Sequence, residues 1–199
     1  MYNDDITSDS EISGKYATIL QVIPALGNSG GVERGTVEIA DAIVKHGGRA
    51  IVASSGGPKE HDLHRIGATH ITLPLKTKNP ISIYKNIDRL LTVINREKVD
   101  LVHTRSRAPA WSALYAARRA NVPLISTFHG TYSHENLLKR YYNSVMTRGE
   151  QVIAISGFIA AHVRQHYGVP SERIHTIHRG VDLSIFNTNN VSAERVISL

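Results

Sequence analysis

The chain has 199 residues, 41% of them hydrophobic and 20% charged, and no cysteine. That length suits one domain, or two small ones, with a core large enough to stand without staples; the missing cysteine excludes disulfides, thiolate zinc sites and cysteine nucleophiles and fits a reducing cytoplasm. Net charge is +6, and because residues 1–14 carry four acids and no base, the remainder carries +10, a surplus that points to an anionic partner (phosphate groups, nucleic acid or acidic lipid) or to solubility alone.

Residues 1–15 are polar and acidic, lack the apolar segment of a signal peptide, and read as a flexible tail. No apolar run approaches the ~20 residues that span a bilayer. The first strand is expected over residues 17–23. A loop with Gly27, Gly30 and Gly31 follows, then a helix over 32–46 whose Ile39, Ala40, Ile43 and Val44 lie near one face. Gly47 and Gly48 stop it. A second strand covers 49–54, a short helical piece 60–65, and a third strand 70–73. The clearest helix is 80–97, opened by Pro80 and carrying Ile83, Ile87, Leu90, Leu91 and Ile94 at the helical period. Strand four (99–103) leads through Thr104–Arg105–Ser106–Arg107 to an alanine-rich helix over 109–120. Strand five (123–127) ends in Phe128–His129–Gly130, and a helix is expected over 134–147. Strand six (151–155) precedes a helix to Tyr167 with Ser156 as N-cap and Gly168 as terminator, and strand seven is 173–177.

Strands alternating with helices predict an α/β fold, a Rossmann-like doubly wound parallel sheet. Ligands of such sheets bind at the carboxyl ends of the strands. Gly30–Gly31, Arg105–Arg107, His129–Gly130 and Arg179–Asp182 all fall there. A glycine loop opening a helix can offer free N–H groups to an anion, with glycine allowing close approach or positive φ. The spacing here is neither GxGxxG nor a Walker loop, and strand two ends in Ser54–Ser55 with no acid for a ribose. A tight turn would equally need these glycines. His129 can serve a hydroxyl or carbonyl, or be held by a loop carbonyl as a structural group. Arg105 and Arg107 can clamp a carboxylate or phosphate, or simply be solvated. His61/His64 and His162/His166 have helical spacing but no accompanying carboxylate pattern, so solvated faces outweigh a metal site. Two basic, partly apolar stretches could touch a membrane: Lys76, Lys78 and Lys85, and the 134–147 helix with Lys139, Arg140 and Arg148. In the competing reading of that helix, Leu137, Leu138, Tyr141, Tyr142, Val145 and Met146 face the core.

Five segments in order, VIPALGNSGGVERG, VDLVHTRSRAPAW, STFHGTY, VIAISGFIAAHV and RIHTIHRGVDLSIFN, resemble the N-terminal half of a retaining family 4 glycosyltransferase of GT-B fold. HTRSRAPAW with ENLLKRYYNSVMTRG is most similar to the lipopolysaccharide-core mannosyltransferase branch. The resemblance implies an acceptor-side domain over 16–187 and the start of a crossover at 188–199 toward a donor domain beyond Leu199, so that this chain alone transfers little sugar. It implies Gly30 and Gly31 at the donor phosphates and His129, as the catalytic group, near the transferred sugar. Arg105, Arg107, Glu33, Gly130 and Arg179 fall on the acceptor side. Many relatives have Asn where this chain has Arg179. The implied partners are a nucleoside-diphosphate sugar such as GDP-mannose, an anionic glycolipid acceptor and the inner face of the cytoplasmic membrane, with no nucleic acid, no cofactor and no bound metal. The alternative is a non-catalytic module for an anionic sugar or membrane surface; a nucleotide-dependent epimerase or oxidoreductase is disfavoured by the missing GxGxxG and ribose acid.

Overall fold

Short apolar and β-branched runs, each closed by a turn or cap, build the sheet. In the computed structural model, which describes residues 16–28, 30–132 and 136–180, seven strands form. They are β1 (Thr18–Val22), β2 (Arg49–Ser54), β3 (Thr69–Thr72), β4 (Leu101–Thr104), β5 (Leu124–Phe128), β6 (Gln151–Ala154) and β7 (Ile174–Thr176). The helices are α1 (Gly31–Lys45), α2 (Glu60–Arg65), α3 (Pro80–Glu97), α4 (Arg107–Ala120), α5 (Leu137–Asn143) and α6 (Gly157–Tyr167). The strands lie in the order β3-β2-β1-β4-β5-β6-β7, and every neighbouring pair is parallel. This is the expected Rossmann-like doubly wound sheet, with its order reversing between β1 and β4. The expectations for residues 1–15 and 188–199 lie outside the described residues.

Local chemistry sets most boundaries. Asn79 caps α3 by accepting from Ile81 N and Ser82 N, with Pro80 next to it. At the other end Lys98 takes φ 51° and Val99 N bonds Ile94 O, so residue 99 belongs to the helix stop and β4 begins only at Leu101. Ser156 caps α6 through Ile159 N, and Gly168 ends it at φ 64°. The expected 134–147 helix is broken: α5 stops at Asn143 and a tighter 3-10 turn covers Ser144–Thr147. Val145 and Met146 are buried by that turn, whereas Leu137, Leu138 and Tyr141 are exposed. The core reading of this segment therefore holds for Val145 and Met146 but not for those three.

The two sheet faces differ. One carries the larger core, where α3, α4 and α6 bury Leu20, Val22, Leu90, Leu114, Phe128 and Val152. On the other, α1 and α2 cover β1 and β2 through Ile23, Leu26, Ala40, Ala50, Val52 and Leu63. Register puts Gln21, His103 and Ile125 side by side on this second face, and Thr127, Ile153 and His175 likewise. Among the described residues no helix covers β5–β7 here: Ile125, Ile153 and Ile155 are half-buried, and Ile177 is exposed.

A polar line stiffens the loop after β2. Ser54 Oγ lies 2.8 Å from His70 Nε2, and His70 Nδ1 lies 3.1 Å from Glu60 Oε2. Glu60 Oε1 accepts from Gly57 N at 2.6 Å. Ser54 is fully buried and its oxygen accepts from Gly56 N, so this line is a brace rather than a nucleophile with its base. Gly57, at φ 145°, packs its Cα against the Leu26 carbonyl, leaving no room for a Cβ. The brace thereby fixes the end of the loop that leads to Gly30.

Candidate functional site

At the carboxyl ends of β1, β4, β5, β6 and β7 the uncovered sheet face and α1 enclose an open cavity of about 450 Å³. Gly35, Glu38 and Ile39 form its α1 wall. Arg105, Thr127, His129 and Ile153 come from the sheet side, and Ile177, His178, Arg179 and Gly180 from the chain after β7. The strand pleat explains the polar set. His103 and Arg105 are two residues apart at the end of β4, and Thr127 and His129 are two apart at the end of β5, so both pairs project on one face.

Gly30 is the N-cap of α1 with φ −88° and no side-chain cap bond, and neither it nor Gly27 or Gly31 has positive φ. Turn strain therefore does not require these glycines; close approach does. Glu33 folds its carboxylate over Gly30, where a Cβ would stand. A Cβ on Gly31 would lie 2.5 Å from Arg179 Nη1, and one on Gly35 would lie 2.9 Å from Arg105 Nη2 and 3.2 Å from Arg179 Nη2. Arg179 Nη2 donates to Gly31 O. Residues 148 positions apart in sequence so place one guanidinium on the first turn of α1, and Arg105 brings a second to Gly35 beside it.

Among the described residues neither cation is held in an ion pair, although Glu38 and Asp41 also line the cavity. Arg105 is 3% exposed, and its Nε and Nη1 have no hydrogen-bond partner among the described residues. Burial, and then Arg179, lowers its pKa to about 10, against the opposing pull of Glu38, so it stays charged at neutral pH. Glu38 is itself paired with Arg34 at 2.7 Å. Both ring nitrogens of His129 are buried without hydrogen-bond partners among the described residues, and burial, then Arg105 and Arg179, push its pKa down to about 3. A buried, unpaired cation is costly unless a ligand supplies the anion. The arrangement can hold a phosphate or carboxylate, with His129 as a neutral donor or acceptor beside it.

The other anticipated residues are placed as follows. Arg107 does not join Arg105: it begins α4, donates to Asn143 Oδ1 at 2.9 Å and stacks 4.1 Å above the Tyr132 ring. The two arginines do not form one clamp. Gly130 follows His129 in open space. Asp182 lies outside the described residues. His61 and His64 are exposed, whereas His162 is buried and accepts from Tyr132 N at 3.4 Å, a correction to its solvated reading. Among the described residues no three His, Asp or Glu side chains are grouped to hold a metal, and no helix is long and apolar enough to cross a membrane. His103 and Thr127 are additions to the expected set; their signal was the two-residue spacing to Arg105 and His129 at strand ends.

His103 is also buried, and burial, then Arg105 and His129, hold its pKa near 3. Unfolding raises both histidines toward the ordinary value of 6.5. Between about pH 6.5 and 3 the unfolded chain binds more protons, so stability falls as pH falls through that window. Urea denaturation at pH 7.5 and pH 5 is expected to give a lower midpoint at pH 5 with unchanged slope. An equal midpoint at both pH values contradicts two neutral, buried imidazoles.

The model of Glycosyltransferase Family 4 matches residues 29–185. No curated protein matched the chain. Among solved structures, a glycosyltransferase from Rickettsia africae ESF-5 is 40% identical, with TM-score 0.80 over 93% of this chain and 48% of its own. Anabaena Alr3699/HepE in complex with UDP-glucose superposes with TM-score 0.69 at 19% identity, over 85% of this chain and 45% of its own. The lipopolysaccharide outer core galactosyltransferase WaaB gives TM-score 0.62 at 13% identity, over 83% and 46%. The latter two show the shared fold, that of GT-B N-terminal domains, and the chain spans about half the length of each of the three. With a family match over most of its length, the chain belongs to glycosyltransferase family 4.

Proposed function

We propose that this chain is the acceptor-side half of a retaining hexosyltransferase that moves a hexose, mannose from GDP-mannose in the first instance, onto an anionic glycolipid of the lipopolysaccharide-core kind. The observation that carries the reading is the pair of guanidiniums, Arg105 and Arg179, meeting over Gly35 beside the open first turn of α1, with two Arg105 nitrogens left without a hydrogen-bond partner among the described residues. The donor diphosphate would approach Gly30 and Gly31, where the helix dipole and free N–H groups favour negative charge and Glu33 must give way. Stabilising the departing diphosphate is the larger part of the catalysis. His129 would face the transferred sugar, and the acceptor's acidic group would meet Arg105 and Arg179.

A second surface supports the membrane-contact part of this reading. Trp111 stacks on Tyr115 and Tyr141 with centroids at 6.1 and 5.3 Å, and Arg148 lies over Trp111 at 5.1 Å. Exposed Leu137 and Leu138 flank this ladder, and Lys139 and Arg140 continue it. Amphipathic aromatics, basic side chains and exposed leucines together suit the headgroup region of an anionic bilayer.

The test is transfer by the polypeptide as the cell makes it. Labelled GDP-mannose is supplied with an anionic core glycolipid in vesicles, and label is expected in the lipid with the anomeric configuration retained. Label moving equally well to a neutral glycolipid removes the anionic acceptor. Absence of transfer together with tight binding of NAD favours the oxidoreductase reading instead.

A further inference from the structure

Beneath the cavity floor, His103 Nε2 lies 2.7 Å from Thr127 Oγ1, and both residues are buried. Thr127 lines the cavity; His103 does not. We propose that His103 is a positioning residue: its Nε2–H donates to Thr127 Oγ1 and so turns the Thr127 hydroxyl proton into the cavity, as a third donor to the anion held by Arg105 and Arg179. This rests on the anion-binding reading of the cavity and adds a residue and a direction to it.

The argument is one of proton counting. A threonine hydroxyl has one proton and two lone pairs. Were His103 Nε2 unprotonated, it would accept the Thr127 proton, and Thr127 would show the cavity only lone pairs, which repel an anion. With Nε2 protonated, the Thr127 oxygen accepts from below and its proton is released toward the ligand. Neutral imidazole carries one proton, so choosing Nε2–H leaves Nδ1 as a lone pair, and among the described residues His103 Nδ1 makes no hydrogen bond that would call for a proton there. The nearby positive charge of Arg105 disfavours a second proton on the ring, in agreement with its depressed pKa. The tautomer then does not change across the physiological range, and Thr127 remains a fixed donor.

Two readouts test this on the full 199-residue chain. Ring nitrogen chemical shifts of His103 are expected to show the Nε2–H tautomer at pH 7; the Nδ1–H tautomer overturns the proposal outright. Inorganic phosphate is then titrated into wild type, Thr127→Val, Thr127→Ser, His103→Leu and His103→Gln. Thr127→Val and His103→Leu are expected to weaken phosphate about tenfold, the value of one hydrogen bond to a charged group. Thr127→Ser keeps the hydroxyl, and a glutamine amide can donate from near the Nε2 position, so both are expected to stay within about threefold of wild type. His103→Gln as weak as His103→Leu, or Thr127→Val binding like wild type, contradicts the positioning role while leaving the anion site standing. Wild type that binds no phosphate at all removes the anion site and this proposal with it.

Discussion

Replacing Arg105 with methionine is expected to abolish anion binding at the cavity and yet leave the domain as stable as before, or more so. The side chain is almost wholly buried, two of its nitrogens have no partner among the described residues, and Arg179 stands beside it. A charge taken out of water without an opposing charge destabilises the folded state, and an apolar residue of similar volume removes that cost. Relief of about 1 kcal/mol corresponds to a rise of about 2–4 °C in melting temperature for a domain of this size. The same change removes the guanidinium that the proposed site would use for a bidentate, charge-assisted contact, so the affinity for inorganic pyrophosphate is expected to fall at least about hundredfold. Differential scanning calorimetry and pyrophosphate titration of the two proteins check both parts. A melting temperature several degrees lower, with pyrophosphate affinity unchanged, would make Arg105 a structural strut.

His129→Ala is the second large effect, and it falls on turnover. Wild-type His129 is neutral at pH 7, because burial and two guanidiniums hold its pKa near 3. In the proposed transfer it would therefore act as a neutral hydrogen-bond group for a sugar hydroxyl or carbonyl and not as a base that titrates near neutrality. Neither ring nitrogen has a hydrogen-bond partner among the described residues, so no hydrogen bond described there is lost on truncation. In the transferase, kcat is expected to fall about hundredfold with KM for the donor little changed, as for an interaction strongest in the transition state. The pH profile of the wild type is expected to show no histidine limb between pH 6 and 8. Near-normal kcat in His129→Ala, or an acidic limb near pH 6.5 that the substitution removes, counts against this role.

Much of this site could be read from the chain alone, for identifiable reasons. Most strands are short, largely apolar or β-branched runs closed nearby by a glycine, a proline or a capping serine, and such signals are local. The positions of Gly30–Gly31, Arg105, His129 and Arg179 at strand ends follow from counting elements. What sequence could not supply is direction. Arg105 and Arg107 are two apart, a spacing that shares a face in a strand, but the chain leaves β4 at Thr104 and enters α4 at Arg107, so only Arg105 keeps the strand's direction. Arg107 turns to Asn143 and Tyr132 instead. The adjacency of His103 and Thr127 depends on how β4 pairs with β5, and that register is a tertiary fact. Leu137 and Leu138 looked like core residues because their spacing continues to Val145 and Met146. The change to a 3-10 turn at Ser144 rotates the later pair inward and leaves the earlier pair outside. The glycine loop gained a different rationale: its glycines are needed for the space that Glu33 and Arg179 occupy, not for unusual backbone angles.

The central proposal is that the first turn of α1 and the adjoining Arg105–Arg179 pair form a continuous anion-binding surface on the lip of a sugar-transfer cleft, able to take the donor diphosphate and the acceptor's acidic group side by side. Its most direct measurement is a titration of the isotopically labelled chain with inorganic pyrophosphate, followed by NMR. The account predicts saturable shifts of the Gly30, Gly31 and Gly35 amides together with the Arg105 and Arg179 guanidiniums. Shifts confined to Lys76, Lys78 and Lys85, with the glycine loop and both arginines silent, would contradict it.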